Sequence, residues 1–277
     1  MNDSAQPNPH KPLLLADLSS PETRELLPQI ELVLIPVGAH EQHGPNIAVS
    51  TDTVSADALC RAAAGLLGPR VAVAPVIPWG ISWHHMAFPG TITLRPATLI
   101  ALLEDIVDSL YAHGVDRFLV VNGHGGNSAV LTAAVEQIKY ETGVPLIAAI
   151  FGYALIAEQA RQLLPPEGIG HGGADEAALV MAVEPQKGKP HAAAGPDLTG
   201  SQTETAALLR AYGGLLARPY HEVTRNGITG DASSATAEIG RQILDGSARR
   251  LAEIVEVLLR ETAAAEGGGA SPNPKSS

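Results

Sequence analysis

The chain has 277 residues, of which 18 are Lys or Arg and 29 are Asp or Glu, and its formal net charge is −11. An acidic chain repels phosphate backbones, and an aromatic content of 4% is too low for a base-stacking platform, so we expect no nucleic-acid partner. The sequence has no cluster of Lys and Arg that would favour binding to an anionic membrane surface. Its hydrophobic content of 45% is typical of a globular protein.

The two ends of the sequence are predicted to be unstructured. Residues 1–10 are polar and residues 263–277 are rich in Gly, Pro and Ser, so neither segment can bury much apolar surface. Residues 11–262 contain no long linker, charge block or repeat, which predicts a single domain. The first dozen residues lack the apolar core of a signal peptide, and the longest uncharged apolar stretch, 144–157, is shorter than the ~18 residues that span a bilayer. We therefore expect a cytoplasmic protein.

Strands and helices alternate along this domain. The predicted strands are β-branched runs that are apolar on both faces, at residues 32–37, 71–76, 118–121 and 146–151. The predicted helices lie at residues 52–67, 96–113, 127–142, 175–183 and 234–261. This order predicts an α/β fold with three layers, in which helices cover both faces of a mostly parallel sheet. The single cysteine, Cys60, excludes a disulfide framework and is predicted to lie in the core.

Polar side chains follow two of the predicted strands, at the sheet edge where open α/β folds bind ligands. Glu41 and His43 follow the first strand and point the same way in an extended segment, and His124 follows the third strand between glycines. Asp52 begins the next helix, where a role as N-cap is the simplest interpretation. Together these residues form an oxygen and nitrogen donor set that suits zinc, manganese or iron(II), and a bridging Asp would create a two-metal hydrolytic site.

This hypothesis requires the two loops to meet, with the imidazole of His124 within about 8 Å of the Asp52 carboxylate. A different interpretation of the NGHGGN segment, residues 122–127, is a phosphate-binding turn, although it lacks the glycine spacing of the known phosphate-binding motifs.

Five segments together resemble the creatininase family of metal-dependent amidohydrolases. They are GAHEQHGPNIAVSTD (38–52), HHMAFPGTITL (84–94), VNGHGGN (121–127), HGGADE (171–176) and NGITGDASSATAEIG (226–240), in the family's order. The resemblance implies a creatininase-like three-layer fold with two divalent metal ions per subunit, zinc before manganese or iron. It also implies a homo-oligomer, by resemblance a hexamer, and the 17% of charged residues is compatible with buried interfaces.

The resemblance also implies which residues hold the metals. The family's metal-ligand positions correspond to Glu41, His43, Asp52 and His124, with Asp52 bridging. In creatinine-hydrolysing members a Glu two residues after the loop histidine completes the second metal site, and here that position is Gly126. The segment after the later histidine then offers a replacement carboxylate. Its candidate ligand is Glu176, with Asp175 as the weaker choice.

His171 falls on the family's acid/base histidine, and we expect His171 and Glu176 to be the catalytic residues. The expected substrate-binding residues line the loops around them and are Trp83, His84, His85, Gly125, Gly126, Tyr153 and Glu167. Trp83 either lines the pocket or packs against its own loop, and His84 replaces a carboxylate common in the family. Glu167 stands where creatinine-hydrolysing members place an aromatic lid, which disfavours creatinine as the substrate.

The expected activity is hydrolysis of a C–N bond in a small molecule by attack of a metal-bound hydroxide, with His171 carrying the proton. An amide, a lactam and a formamide all fit this chemistry, and we expect the bond to be other than a peptide bond. Three alternatives stay open: hydrolysis of a cyclic ketone or lactone, cleavage of a terminal peptide bond, and a metal-binding scaffold without catalysis.

Overall fold

The computed structural model describes residues 11–189, 195–200, 204–211 and 216–267. The strands are β1 (Leu13–Leu14), β2 (Leu32–Val37), β3 (Val71–Val73), β4 (Arg117–Asn122) and β5 (Leu146–Phe151). The helices are α1 (Ser20–Leu26), α2 (Thr51–Leu67), α3 (Pro96–Ala112), α4 (Ser128–Thr142), α5 (Gly152–Leu163), α6 (Ala174–Val183), α7 (Glu204–Ala211) and α8 (Ala237–Gly267). The strands form one sheet in the order β1-β3-β2-β4-β5, and all neighbouring pairs are parallel.

Alternate side chains of the central strands pack into two different cores. Leu32 and Leu34 of β2 face a core formed with α2 and α8, whereas Val33 and Ile35 face a core formed with α3 and α4. Because successive residues of a strand point to opposite faces, the sheet is covered by helices on both sides. This arrangement confirms the predicted three-layer α/β fold with a parallel sheet. Cys60 is buried in the first of these cores, as predicted.

A third core holds α6 against α8 beside the main sheet. The two helices approach so closely that a Cβ atom at Gly240 would lie 1.8 Å from the carbonyl oxygen of Ala178. Only glycine permits this contact, since such a distance lies far inside van der Waals separation. The contact fixes the position of α6, whose first turn carries Asp175 and Glu176.

The structure departs from the predicted elements at several places. Helices α1, α5 and α7 and the short strand β1 were not predicted. Strand β3 ends at Val73 rather than at the predicted residue 76, because Pro75 has no N–H to donate to the ladder. Helix α8 extends to Gly267, so residues 263–267 are helical where an unstructured tail was predicted. Residues 1–10 and 268–277 lie outside the described residues.

Within the described part of the chain, no helix is both long enough and apolar enough to cross a membrane.

Candidate metal centre and active site

The site lies at the carboxyl edge of β2 and β4. These strands are neighbours, with Val37 opposite Asn122, so the loops that follow them leave the sheet side by side. The first loop carries Glu41 and His43 and leads into α2, and the second loop carries His124. The convergence expected from the sequence is therefore a direct result of strand pairing.

Asn127 fixes these loops to a third one. Its Nδ2 donates to the carbonyl oxygen of Gly38, 3.0 Å away, and its Oδ1 accepts from the backbone N–H of Ile81 at 2.8 Å. A Cβ atom at Gly80 would lie 2.3 Å from Asn127 Oδ1, so the third loop needs glycine there. One buried amide thus connects the chain after β2, the chain after β4 and the segment that carries His84 and His85.

Asp52 lies between two histidines. Its Oδ1 is 3.3 Å from His43 Nε2, and its Oδ2 is 3.1 Å from His124 Nδ1. Ser50 precedes α2 at the N-cap position, whereas Asp52 is buried in the first turn with its side chain turned to the histidines. The N-cap interpretation of Asp52 was therefore wrong. Each of its oxygens faces a different imidazole, which is the geometry a bridging carboxylate needs.

Glu41 lies on the other side of His124. Its Oε2 is 3.3 Å from His124 Nε2, while its Oε1 is 3.4 Å from His85 Nε2 and 3.7 Å from His171 Nδ1. The phosphate interpretation of the loop after β4 conflicts with these surroundings, because His124 faces the carboxylates of Glu41 and Asp52. Two buried carboxylates repel an anion and attract a cation.

Glu176 joins the cluster, and Asp175 does not. Glu176 Oε2 lies 3.5 Å from His43 Nε2 and accepts the backbone N–H of Gly172 at 2.7 Å. The Asp175 carboxylate instead accepts from the hydroxyl of Tyr153 at 2.6 Å and from the backbone N–H of Gly170 at 3.3 Å. The structure thus separates the two candidates that the sequence left open, and favours Glu176.

Gly126 has no room for a side chain. A Cβ atom there would lie 2.2 Å from the carbonyl oxygen of Ile81 and 2.4 Å from His124 Nε2. The neighbouring Gly125 is different, since its closest neighbour, Phe151, would be 3.9 Å away. The backbone at residue 126 is therefore incompatible with the Glu that creatinine-hydrolysing members carry there, which is consistent with a ligand supplied by α6.

The donor atoms of the cluster fit divalent metal ions. Glu41 Oε2, His43 Nε2 and Asp52 Oδ2 are buried and have no hydrogen-bond partner. Burial without partners costs free energy, and a bound cation removes that cost. The contacts of 3.1–3.5 Å between donors also match the edge of a tetrahedron around zinc, about 3.3–3.4 Å for bonds of about 2.0–2.1 Å. Glu41, His43 and Asp52 form one group whose potential ligand atoms all lie within 4.8 Å of one another.

The charges of the cluster are strongly coupled. Burial alone would lower the pKa of His43, but the carboxylates of Glu176 and Asp52 outweigh burial and raise it. The same competition raises the pKa of His124, through Glu41 and Asp52. Burial raises the pKa of the Glu176 carboxyl. Without metal, the carboxylates of the site therefore favour the protonated forms of His43 and His124.

The cluster opens into a cavity of about 220 Å³. Its walls are formed by Glu41, Asp52, His84, His85, Gly123, His124, Gly125, Gly126, Phe151, Tyr153, His171, Glu176 and Tyr220. Most of the expected substrate-binding residues are among them, but Trp83 and Glu167 are not. The Trp83 side chain is 55% exposed and the Glu167 side chain is also exposed, so the structure places neither beside the cluster.

Sequence reasoning missed two residues of this site. Tyr220 packs on His85, with ring centroids 4.3 Å apart, and on His171 at 5.0 Å. It lies in an irregular segment far along the chain, where no periodicity marks a buried side. Gln42 lies in the same motif as Glu41 and His43, but a Gln between two stronger candidate ligands gives no signal of its own.

The fold and this site define an α/β protein with a buried cluster of carboxylates and histidines that could hold metal ions, open to a small cavity. The family model for creatininase, described as creatinine amidohydrolase, matches residues 16–255. The chain belongs to the creatininase family and is a hydrolase of that family.

Individual relatives and structures agree with this assignment. The chain is 30% identical to the mycofactocin precursor peptide peptidase of Mycolicibacterium smegmatis over 232 residues, which covers 82% of this chain and 85% of the relative. It also superposes on a solved manganese form of creatininase with a TM-score of 0.75, 24% identity, and coverage of 90% and 99% of the two chains. A zinc–zinc form of a creatininase mutant gives a TM-score of 0.75 at 23% identity, with the same coverage.

Proposed function

We propose that this protein is a hydrolase that depends on two divalent metal ions and cleaves an amide C–N bond in a small molecule or short peptide. The observation that carries the proposal is the set of buried, unpartnered donor atoms of Glu41, His43 and Asp52 at the base of a cavity. A structural role alone would not leave such atoms without partners beside an opening to solvent.

The residues that would hold the ions are Glu41, His43, Asp52, His124 and Glu176. Asp52, whose two oxygens face His43 and His124, would be the ligand shared between the ions. When bound, such ions supply Lewis-acid polarisation of a substrate carbonyl and activation of water. Solved creatininases with zinc or manganese support these two metals for this chain.

His171 would move the proton. Its Nε2 is 2.7 Å from the backbone carbonyl of Gln42, so Nδ1 is the nitrogen that faces the cluster, 3.7 Å from Glu41 Oε1. Burial and the charge of nearby His43 lower the pKa of His171 well below its usual value, which keeps the ring neutral with a lone pair on one nitrogen. A base at this position can take a proton from the attacking water and deliver it to the departing nitrogen.

The substrate is constrained by the cavity wall. Among the described residues that line it there is no Lys or Arg, so none of these side chains would bind a substrate carboxylate through an ion pair. Phe151, Tyr153 and Tyr220 supply aromatic surface but no Trp, which supports a substrate other than creatinine. The prediction that peptide bonds are excluded finds no support, because a relative over most of the chain is a peptide peptidase. We therefore include terminal peptide bonds among the candidate substrates.

The test uses the full chain loaded with Zn²⁺ or Mn²⁺ and a panel of a lactam, a hydantoin, a formamide, a lactone, creatinine and short peptides. We expect hydrolysis of at least one amide, loss of that activity with a chelator, and recovery when metal is returned. His113→Ala, which changes an exposed histidine far from the site, is the matched control and should behave as the parent.

Four results would contradict the proposal. Activity that survives metal removal, or binding of less than one equivalent of metal, refutes the metal site. Metal binding without any hydrolysis favours the non-catalytic scaffold, and cleavage of the lactone alone favours the ester and ketone alternative.

Assembly and location remain predictions. A homo-oligomer, by resemblance a hexamer, and a cytoplasmic location are proposed on the sequence arguments given above.

A further inference from the structure

Gln42 contacts His85 and His171, the two histidines that lie near Glu41 Oε1. Its side-chain Nε2 is 2.8 Å from His85 Nδ1 and its backbone oxygen is 2.7 Å from His171 Nε2. The residue is buried and stands between two residues of the metal cluster in the sequence. Its hydrogen bonds determine which nitrogen of each histidine carries a proton.

The orientation of the Gln42 amide is settled by two backbone groups. The N–H of Gly44 can only donate, and it lies 2.8 Å from Oε1. The carbonyl of Gly227 can only accept, and it lies 2.8 Å from Nε2. A Cβ atom at Gly227 would lie 2.0 Å from Gln42 Oε1, and this residue has φ of +84°, so the close approach requires glycine. Residues 226–240 are one of the five segments that resemble the creatininase family, and no function was predicted for them. The contact with Gln42 shows that this segment holds the Gln42 side chain in place.

The amide fixes the tautomer of His85. One N–H of Gln42 Nε2 is used by the Gly227 carbonyl, and the other faces His85 Nδ1. His85 Nδ1 must therefore accept, and the proton of the neutral ring sits on Nε2. That N–H faces Glu41 Oε1, 3.4 Å away.

The backbone fixes the tautomer of His171 independently. A carbonyl oxygen cannot donate, so the 2.7 Å contact with Gln42 O requires a proton on His171 Nε2. The 3.0 Å contact between the same Nε2 and the Gln42 amide nitrogen then joins two donors and is a packing contact rather than a hydrogen bond. The lone pair of His171 is left on Nδ1, facing the cluster.

We propose that Gln42 is a positioning residue that gives the two histidines opposite functions toward the site: His85 presents an N–H donor, and His171 presents a lone pair. His85 is thereby a donor that orients the Glu41 carboxylate, and its site-facing nitrogen is unavailable to a metal. His171 is left as the base. The function of His171 rests on the proposed hydrolase activity, whereas the two tautomers do not.

The experiment measures ring nitrogens by NMR in the full, Zn²⁺-loaded chain labelled with ¹⁵N-histidine, because zinc is diamagnetic. Signals are assigned by comparison with His85→Ala and His171→Ala. In the parent protein we expect the Nε2–H tautomer for both residues. In Gln42→Glu, whose side chain cannot donate when ionised, His85 should change to the Nδ1–H tautomer, while His171 should keep Nε2–H because its partner is the backbone.

Gln42→Met is the second variant, since it keeps side-chain length and removes both donors without adding charge. There His85 should lose its single tautomer and show both, with His171 again unchanged. A backbone amide NMR spectrum that matches the parent spectrum away from the site shows that each variant is folded. An Nδ1–H tautomer of His85 in the parent, or an unchanged His85 in both folded variants, would overturn the proposal. Correct tautomers in a protein that hydrolyses nothing would refute the proposed function only.

Discussion

His124 Nδ1 lies 3.1 Å from Asp52 Oδ2, although the two residues belong to different strand–helix units. The pairing of β2 with β4 brings them together, and the first turn of α2 turns the carboxylate inward. The same carboxylate reaches His43 with its other oxygen. Asp52 is therefore the residue on which both halves of the candidate metal centre depend.

Replacing Asp52 with Ala should remove metal and activity together. Without the bridge, each half of the site loses one of its ligands, and we expect fewer than one ion per subunit, measured by elemental analysis after dialysis. Asp57→Asn is the control, since Asp57 lies on the same helix but pairs with Arg61 at 2.6 Å. Full metal content in Asp52→Ala would show that Asp52 is not a ligand.

Glu176→Gln and Asp175→Asn should differ in metal content. Glu176 contacts His43, whereas the Asp175 carboxylate accepts from Tyr153, a bond that the amide oxygen of Asn can also accept. We expect Glu176→Gln to weaken the binding of one of the two ions by roughly 10-fold or more, and Asp175→Asn to retain both. Titration with Zn²⁺ against a chelating indicator measures this. The reverse order of effects would identify Asp175 as the ligand.

Gly126→Ala should destabilise the fold. The added methyl group would clash with the Ile81 carbonyl and with His124, and forced overpacking of this kind costs about 1–3 kcal/mol. Gly125→Ala provides a neighbouring control, because the nearest atom would be 3.9 Å from the new carbon. Urea denaturation of the metal-free proteins compares the two. An equal free energy of unfolding for both variants would contradict the geometry at residue 126.

Metal loading should release protons at pH 7. In the metal-free protein the carboxylates raise the pKa of His43 and His124, and burial raises that of Glu176. At a pH below these raised values the groups hold their protons, and metal binding must displace them. We expect more than one proton per subunit, measured with a pH indicator in weak buffer during addition of Zn²⁺, and the yield should fall as the pH rises. Asp52→Ala should release few protons, and full release there would point to binding elsewhere.

His171→Ala should separate binding from turnover. The ring contacts Glu41 at 3.7 Å but is held by the backbone of Gln42, so its removal should leave the metal content near that of the parent. Loss of a general acid/base typically lowers turnover by roughly 10²–10⁴-fold. The measurement is kcat on whichever amide of the panel is cleaved. Normal kcat in a metal-loaded His171→Ala protein would exclude the acid/base role.

The sequence by itself determined the layered fold and the core of the site. Runs that are apolar on both faces identify buried parallel strands, and polar residues directly after such strands lie at the ligand-binding edge. Glu41, His43 and His124 could be found in this way because each lies only a few residues after a predicted strand. The family resemblance then pointed to His171 and Glu176, which no local pattern would have indicated.

Only the tertiary structure decided which groups meet. Glu176 is distinguished from Asp175 by its partner: Glu176 contacts His43, whereas Asp175 accepts from Tyr153. Tyr220 and the Gln42 amide reach the site through long-range packing and backbone hydrogen bonds. Such contacts join residues that are remote in sequence, so no periodicity or spacing records them.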